Sequence, residues 1–196
     1  LVIASSSSVY GHSNEQLKLR EDAVLAFAPE RGGLTGYGLS KLTNEIQARA
    51  FHEEYGLNVV IPRLFNVVGP HQNGNYGFVV PRFVQQALAG EPLTVFGDGS
   101  QIRSFCDVRD TIDALDRLAT IGAEDGAVRN GEVVNVGNAH ETSILELAKL
   151  VIARTESSSS IQFVPFDQAY GEHFDHIIQR KPIMEKLERL TGFTPQ

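Results

Sequence analysis

Leu1-Val2-Ile3-Ala4-Ser5-Ser6-Ser7-Ser8-Val9-Tyr10-Gly11 reads as an apolar strand running into a hydroxyl-rich turn, and Tyr37-Gly38-Leu39-Ser40-Lys41 reads as the start of a helix. An all-apolar strand such as Leu1–Ala4 is of the kind buried on both faces in a parallel sheet. Tyr37 and Lys41 stand at i and i+4, on one helix face and about 6 Å apart at Cβ. A phenol ordinarily ionises near pH ~10, and a cation fixed beside it favours the phenolate. A serine hydroxyl can hydrogen-bond the same oxygen or a substrate. Together these groups make a candidate proton-transfer site able to work near neutral pH. A solvated helix face beside a serine-rich loop is the alternative without chemistry.

The pattern around these segments alternates strand and helix. Residues 5–35 are expected as a long loop, a length usually functional. Leu39, Leu42, Ile46, Ala50 and Phe51 recur at helical spacing over residues 36–55, with Gly56 as the stop. Leu57–Arg63 follows as a strand rich in β-branched residues, so strand–helix–strand implies a parallel crossover. Further along, Pro81–Ala89 is a short helix, and Leu93–Phe96 and Ile102–Val108 are strands joined by a hairpin turn at Gly97-Asp98-Gly99. Thr111–Ile121 is a helix and Glu132–Val136 a strand. Ser143 with Glu146 forms a capping box for a helix to Ala153. Ser157–Ser160 is a turn, Ile161–Pro165 a strand and Pro182–Thr191 a last helix. The expected class is α/β. A Rossmann-like parallel sheet, of which residues 1–70 form the C-terminal part, carries a smaller α+β lobe built mainly from residues 71–196. Some of the later segments are expected to return to the sheet.

Composition narrows the function classes. The chain has 196 residues, is 42% apolar and carries a net charge of −7. Its Lys and Arg residues are scattered, whereas nucleic-acid binding wants a basic stripe. One cysteine, Cys106, excludes a disulfide scaffold and fits a reducing compartment; in an apolar strand it is expected to be inert. No apolar run approaches the ~18–20 residues of a membrane span. A soluble, cytoplasmic protein without nucleic-acid or membrane partners is expected. His173, Asp175 and His176 could face one another, but no fourth ligand lies near in sequence, so no metal site is expected. A serine hydrolase would need Gly-x-Ser-x-Gly at a strand–helix elbow, and the serine run lacks the first glycine.

With the Ser-Tyr-Lys pattern in place, the chain resembles the extended short-chain dehydrogenase/reductase family, specifically its NAD-dependent nucleotide-sugar epimerases and dehydratases. The resemblance continues through Arg63-Leu64-Phe65-Asn66-Val67-Val68-Gly69-Pro70, Val80-Pro81-Arg82-Phe83, Leu93-Thr94-Val95-Phe96-Gly97-Asp98-Gly99, Gln101-Ile102-Arg103-Ser104-Phe105, Val134-Asn135-Val136-Gly137 and Gln179-Arg180-Lys181-Pro182. It implies NAD as cofactor, a UDP-sugar as substrate and a homodimer. It implies Tyr37 as general base, Lys41 as the anchor of the nicotinamide ribose, and Ser6 as the hydroxyl bonded to the reacting sugar. Ser5 and Leu64 would lie along the cofactor with Tyr37 and Lys41. Asn66, Val79, Val95, Phe96, Arg103 and Arg180 would lie along the nucleotide sugar, the two arginines suiting a diphosphate through bidentate bonds. Ser104 stands where the family often has Asp, Leu64 where Tyr is frequent and Lys181 where a second Arg is common. The family opens with a strand, a Gly-x-x-Gly-x-x-Gly turn and a helix that seats the pyrophosphate. That segment is not in these 196 residues, so a fragment lacking the N-terminal half of the sheet, and inactive alone, is expected.

Ser7 and Ser8 separate the chemistries. In 4,6-dehydratases these two places resemble Asp-Glu, because elimination needs an acid and a base; in UDP-glucuronate decarboxylases the second place resembles Glu. The four-serine run is most similar to the UDP-glucuronate 4-epimerases, which need one proton site and one hydride acceptor. The alternatives are a decarboxylase or 4,6-dehydratase of the same family, or a non-catalytic module that binds sugar nucleotides.

Overall fold

The structure, a computed structural model, describes residues 1–11, 18–28, 33–74, 78–124, 130–170 and 180–196. Its centre is a three-stranded parallel sheet in the order β1 (Ser5–Ser6), β3 (Val59–Leu64), β8 (Asn130–Val136). The ladder of β1 with β3 begins before its regular part. Val2 bridges Val60, and the Ile3 amide donates to the Val60 carbonyl at 3.0 Å. The apolar opening therefore carries on as strand into Ser5 and Ser6, beyond the expected end at Ala4.

Helix α1 (Gly33–Tyr55) is the crossover from β1 to β3. It covers one sheet face, where Ala48 packs on Val59, Ile61 and Val133. The other face carries Val60, Val134 and Val136 against α3 (Val108–Glu124) and α6 (Glu185–Thr191), through the fully buried Leu118 and Leu187. Alternate residues of β3 thus point to opposite helical layers, as the pleat requires. Burying a leucine or valine side chain contributes about 1.5–3 kcal/mol, so these two layers hold the sheet from both sides.

The face that α1 buries differs from the expected one. Leu39, Ile46 and Phe51 are exposed; Ala48 packs on the sheet and Glu45 bonds Ser5 and Arg63, while Leu42 packs with Val9, Tyr10, Leu19 and Phe65 and Gly38 abuts Ser8. Small residues permit a close approach of helix to sheet, and Glu45 has buried partners. Apolar spacing alone therefore reports the helix but not its inward side.

A second cluster packs α2 (Val79–Ala89) and α4 (Ile144–Arg154) on the parallel pair β5 (Leu93–Phe96) and β10 (Ile161–Val164). Helix α5 (Phe166–Tyr170) follows β10. The capping box at Ser143 and Glu146 forms as expected. The hairpin at Gly97–Gly99 does not. Both glycines take positive φ, +70° and +78°, so the turn is real, but its flanks pair elsewhere. β5 pairs with β10, and β6 (Ile102–Arg103) pairs antiparallel with β9 (Thr142–Ser143). The expected strand Ile102–Val108 is broken at Ser104 and Phe105. Its second half, β7 (Cys106–Asp107), pairs with β4 (Val67–Val68). The loop expected over 5–35 contains a 3-10 turn at Ser7–Tyr10 and the short β2 (Lys18–Leu19), which pairs with β11 (Lys181–Pro182). Pro182 is therefore strand, and the last helix starts at Glu185.

Candidate active site

All three central strands run parallel, so their C-terminal ends share one edge of the sheet, the edge where open α/β sheets bind ligands. Ser6, Leu64 and Val136 lie side by side there in register. Ser6 caps the 3-10 turn: its Oγ accepts the Ser8 amide at 3.1 Å. The turn closes at Gly11, whose φ of +71° and contact with Ala26 suit glycine alone: a Cβ there would lie 1.7 Å from the Ala26 carbonyl oxygen.

The first turns of α1 dock on this segment. A Cβ on Gly38 would lie 2.5 Å from the Ser8 carbonyl oxygen, so the residue next to Tyr37 touches the hydroxyl run directly. The Tyr37 side chain is 48% exposed. Lys41, one turn on, places its Nζ 5.9 Å from the Tyr37 ring centroid and donates to the Ala4 carbonyl at 3.1 Å. The expected trio of Ser6, Tyr37 and Lys41 is thus gathered where a helix start meets a strand end. An exposed phenol beside an ammonium that has two further donors, at the carboxyl edge of a parallel sheet, fits the nicotinamide ribose end of a dinucleotide.

Asn66 and Arg103 are brought together through Ser104: the Asn66 Nδ2 donates to the Ser104 carbonyl at 2.9 Å. Ser104 is buried, and its hydroxyl donates to the Asn138 carbonyl, tying this loop to the segment after β8. The Arg103 guanidinium donates to the Ile102 carbonyl at 2.8 Å. Arg180 lies at the end of the hydroxyl turn, donating through Nη2 to the Gly11 carbonyl at 2.7 Å. Phe96 is half-buried under the Arg82 guanidinium, 4.2 Å from ring centroid to Cζ. Val79 begins α2 at the margin of its core. Val95 is fully buried in that core, and its side chain faces Phe83, Leu93 and their neighbours. Leu64 packs toward α3 and α6. Ser5 turns its hydroxyl to Glu45 at 2.5 Å. His173, Asp175, His176 and Gln179 lie outside the described residues.

Sequence reading missed a buried polar row beneath the site. Ser5, Arg63 and Asn135 are in register across β1, β3 and β8. Arg63 is paired with Glu45 of α1 through Nε at 2.9 Å and Nη2 at 2.8 Å. Its Nη1 donates to the Glu21 carbonyl at 3.1 Å, and its Cζ lies 4.7 Å from the Tyr10 ring centroid. Tyr10 donates to Asn135 Oδ1 at 2.6 Å. Burial pushes the Tyr10 phenol above its ordinary 10.0, against the opposing pull of Arg63, so it stays a neutral donor. Burial works against the charge of Arg63, and the Glu45 carboxylate and Tyr10 together more than offset it. The signal was available: an arginine inside the apolar run Val59–Leu64 needs a buried partner. Cys106 is buried, which raises its thiol above the ordinary 9.0. Among the described residues, no group of three His, Cys, Asp or Glu side chains could hold a metal ion, and no helix is long and apolar enough to cross a membrane.

A parallel sheet with a Tyr–Lys helix docked on a hydroxyl-rich strand end defines a dinucleotide-linked α/β protein of the Rossmann type. The chain belongs to the NAD dependent epimerase/dehydratase family, whose model matches residues 1–137. The family's cofactor is NAD. The chain is 37% identical over 196 residues to the UDP-N-acetyl-alpha-D-glucosaminuronate decarboxylase of Bacillus cytotoxicus, covering all of this chain and 58% of that protein. Among solved structures it resembles the UDP-glucuronic acid 4-epimerase of Bacillus cereus in complex with UDP-glucuronic acid and NAD. There the TM-score is 0.78 at 28% identity, covering 100% of this chain and 56% of that one. The dTDP-glucose 4,6-dehydratase of Bacillus anthracis in complex with NAD gives a TM-score of 0.78 at 27% identity, with the same coverage. The chain thus spans little more than half the length of these proteins.

Proposed function

We propose that the protein is an NAD-dependent UDP-sugar 4-epimerase, acting on UDP-glucuronate or a related UDP-hexose by transient oxidation at C4. The observation that carries this reading is the hydroxyl run Ser5–Ser8 under the Tyr37 helix. Ser7 and Ser8 bring no carboxylate to the sugar, and Glu45, the buried carboxylate bonded to the start of this run, is engaged by Ser5 and Arg63. Elimination of water needs a free acid and base; epimerisation needs one proton site.

In this reading the Tyr37 Oη takes the proton of the sugar C4 hydroxyl, while the Ser6 Oγ hydrogen-bonds the same oxygen and orients it. Lys41 stabilises the charge that develops on Tyr37 and holds the nicotinamide ribose. Bound NAD supplies the acceptance and return of hydride at C4. Tyr37 gives its proton back after the 4-keto sugar has turned. Asn66, Arg103 and Arg180 bind the diphosphate and nucleotide, with Phe96 and Val79 beside the base; Val95, fully buried, belongs to the core of α2 and α4 rather than to the ligand wall. Residues 1–70 supply the catalytic part and residues 71–196 most of the nucleotide-sugar lobe.

A decarboxylase is the second reading, favoured by the 37% identity to a decarboxylase over the whole chain. The first step is shared, because a 4-keto uronate is a β-keto acid that can lose carbon dioxide. Incubating the full-length protein with NAD and UDP-glucuronate, then weighing and chromatographing the product, decides between them. An epimer of unchanged mass supports the proposal. Loss of carbon dioxide establishes the decarboxylase; the dehydratase, which expels a C6 hydroxyl that a uronate lacks, is established by loss of water from UDP-glucose in a parallel incubation. No turnover with retained UDP-sugar binding leaves the binding module.

A further inference from the structure

A buried ion pair is poor evidence of stability by itself. Taking two charges from water costs about what their attraction returns, and an apolar pair of similar volume often serves as well. The best-attested use of such a pair is to fix register. Glu45 and Arg63 are nearly sealed, with side chains 3% and 4% exposed respectively. Their placement connects them to the catalytic segments and not merely to the core.

Three successive turns of α1 carry Tyr37, Lys41 and Glu45. Lys41 bonds the Ala4 carbonyl and Glu45 bonds the Ser5 hydroxyl, so two adjacent residues of the strand are gripped from one helix face. Glu45 also binds Arg63, which is the register partner of Ser5 across the ladder. One carboxylate therefore spans both strands. A slip of one residue in either would turn the partner side chain to the opposite face. Arg63 passes the constraint on by packing against Tyr10, the last residue of the 3-10 turn that Ser6 opens. Both ends of the catalytic hydroxyl turn are thereby referred to the helix that bears Tyr37. We propose that Glu45 and Arg63 are positioning residues that hold the Ser6 hydroxyl in register with Tyr37, an inference that rests on the catalytic reading of those two groups.

The test uses the full-length protein, NAD and its UDP-sugar, with two variants. Glu45→Asp keeps the charge opposite Arg63 and shortens the reach by one methylene, so that one carboxylate no longer spans Ser5 and Arg63. Glu45→Met with Arg63→Met removes both charges at similar volume and leaves no unpaired charge in the core. For a positioning role, kcat falls about tenfold or more in both, since misplacement of the order of 1 Å can cost ~100-fold. KM for the UDP-sugar stays within about twofold, as expected when only transition-state geometry is lost. Amide exchange at Ser8 and Gly11, whose N–H groups bond Ser6 Oγ and the Ser8 carbonyl, speeds up while core protection holds. Wild-type kcat in a folded variant overturns the inference. So do unchanged exchange at Ser8 and Gly11, and a parallel loss of kcat, KM and melting temperature, which marks a general structural role. If the double variant does not fold, Glu45→Asp decides. If the wild-type protein turns over no UDP-sugar, the catalytic reading fails separately. Exchange at Ser8 and Gly11 in Glu45→Asp then still tells whether the pair orders the turn.

Discussion

Replacing Gly38 by alanine sets two effects of opposite sign against each other. Within a helix, alanine is favoured over glycine by about 1 kcal/mol. Against that, the new Cβ would lie 2.5 Å from the Ser8 carbonyl oxygen, 3.2 Å from its carbon and 3.0 Å from Phe27 Cε1. The Phe27 ring can swing away, but the Ser8 backbone belongs to the turn capped by Ser6 and cannot. An ordinary contact begins near 3.4 Å, so helix and turn must separate by about 0.9 Å, a displacement large enough to cost catalysis. Overpacking of this kind costs about 1–3 kcal/mol, so the net loss of stability is about 0–2 kcal/mol and the protein still folds. The displacement falls between Tyr37 and the serine run, where a shift of about 1 Å can lower turnover ~100-fold. The assay is kcat and KM for UDP-sugar turnover beside a urea unfolding curve, with Gly36→Ala as control. Nothing lies within 4 Å of a Cβ at Gly36, so that variant should gain up to about 1 kcal/mol and keep its turnover. Wild-type kcat in Gly38→Ala would show that the close approach does not set the catalytic geometry.

Four further outcomes are expected. Tyr37→Phe removes the proposed base and little volume, so turnover should drop ~10²–10⁴-fold with UDP-sugar affinity kept; near-normal rates would end the assignment. Arg180→Ala should weaken UDP binding by roughly tenfold or more, a hydrogen bond to a charged group contributing about 1.5–3 kcal/mol, and calorimetry reads it directly. Ser143→Ala removes the acceptor for the Glu146 amide and half of the capping box, lowering stability by about 1 kcal/mol in urea unfolding without touching turnover. The Arg109 side chain, its backbone amide and its charge pull the Asp107 carboxyl down from 3.8 to about 2. A depressed carboxylate stabilises the fold above its unfolded value and loses that contribution as the pH falls through about 2. Acid unfolding of Asp107→Asn should therefore diverge from wild type above pH 3.8 and converge with it as the pH approaches 2.

Period and punctuation carried the regular elements. The run Leu57–Arg63, the Gly90 and Gly192 stops and the Ser143 capping box each act within a few residues, and each appears where local chemistry places it. Pairing was less legible because it is decided at a distance. Gly97 and Gly99 make a turn with the φ values of a tight reversal, yet β5 finds its partner at residues 161–164. No local signal at the turn distinguishes that outcome from a hairpin. The inward side of α1 was illegible for a related reason. Leu39, Ile46 and Phe51 are exposed, and the side turned inward is instead the narrow edge of Gly38, Leu42, Glu45 and Ala48.

That choice of face ties the fold to the site. Had α1 rested on Leu39 and Ile46, bulky side chains would have held its backbone away from the Ser8 carbonyl, and Tyr37 and Lys41 would have been rotated off the strand end. A helix that must bring a phenol against a serine turn needs a thin contact surface there, which Gly38 provides. It also needs something other than apolar bulk to fix its rotation. Glu45 can do this because a hydrogen-bonded carboxylate, unlike a leucine, accepts its partners in few orientations: Ser5 on one strand, Arg63 on the next, and through Arg63 the Tyr10 ring. Directional bonds to both strands make the helix rotation and the strand register a single variable. The Ser-Tyr-Lys pattern is readable in sequence because its chemistry lies in residue types at fixed spacing. The parts that place it are hidden because they act across 18 to 125 residues, and one of them looks in isolation like an ordinary charged position on a solvated helix.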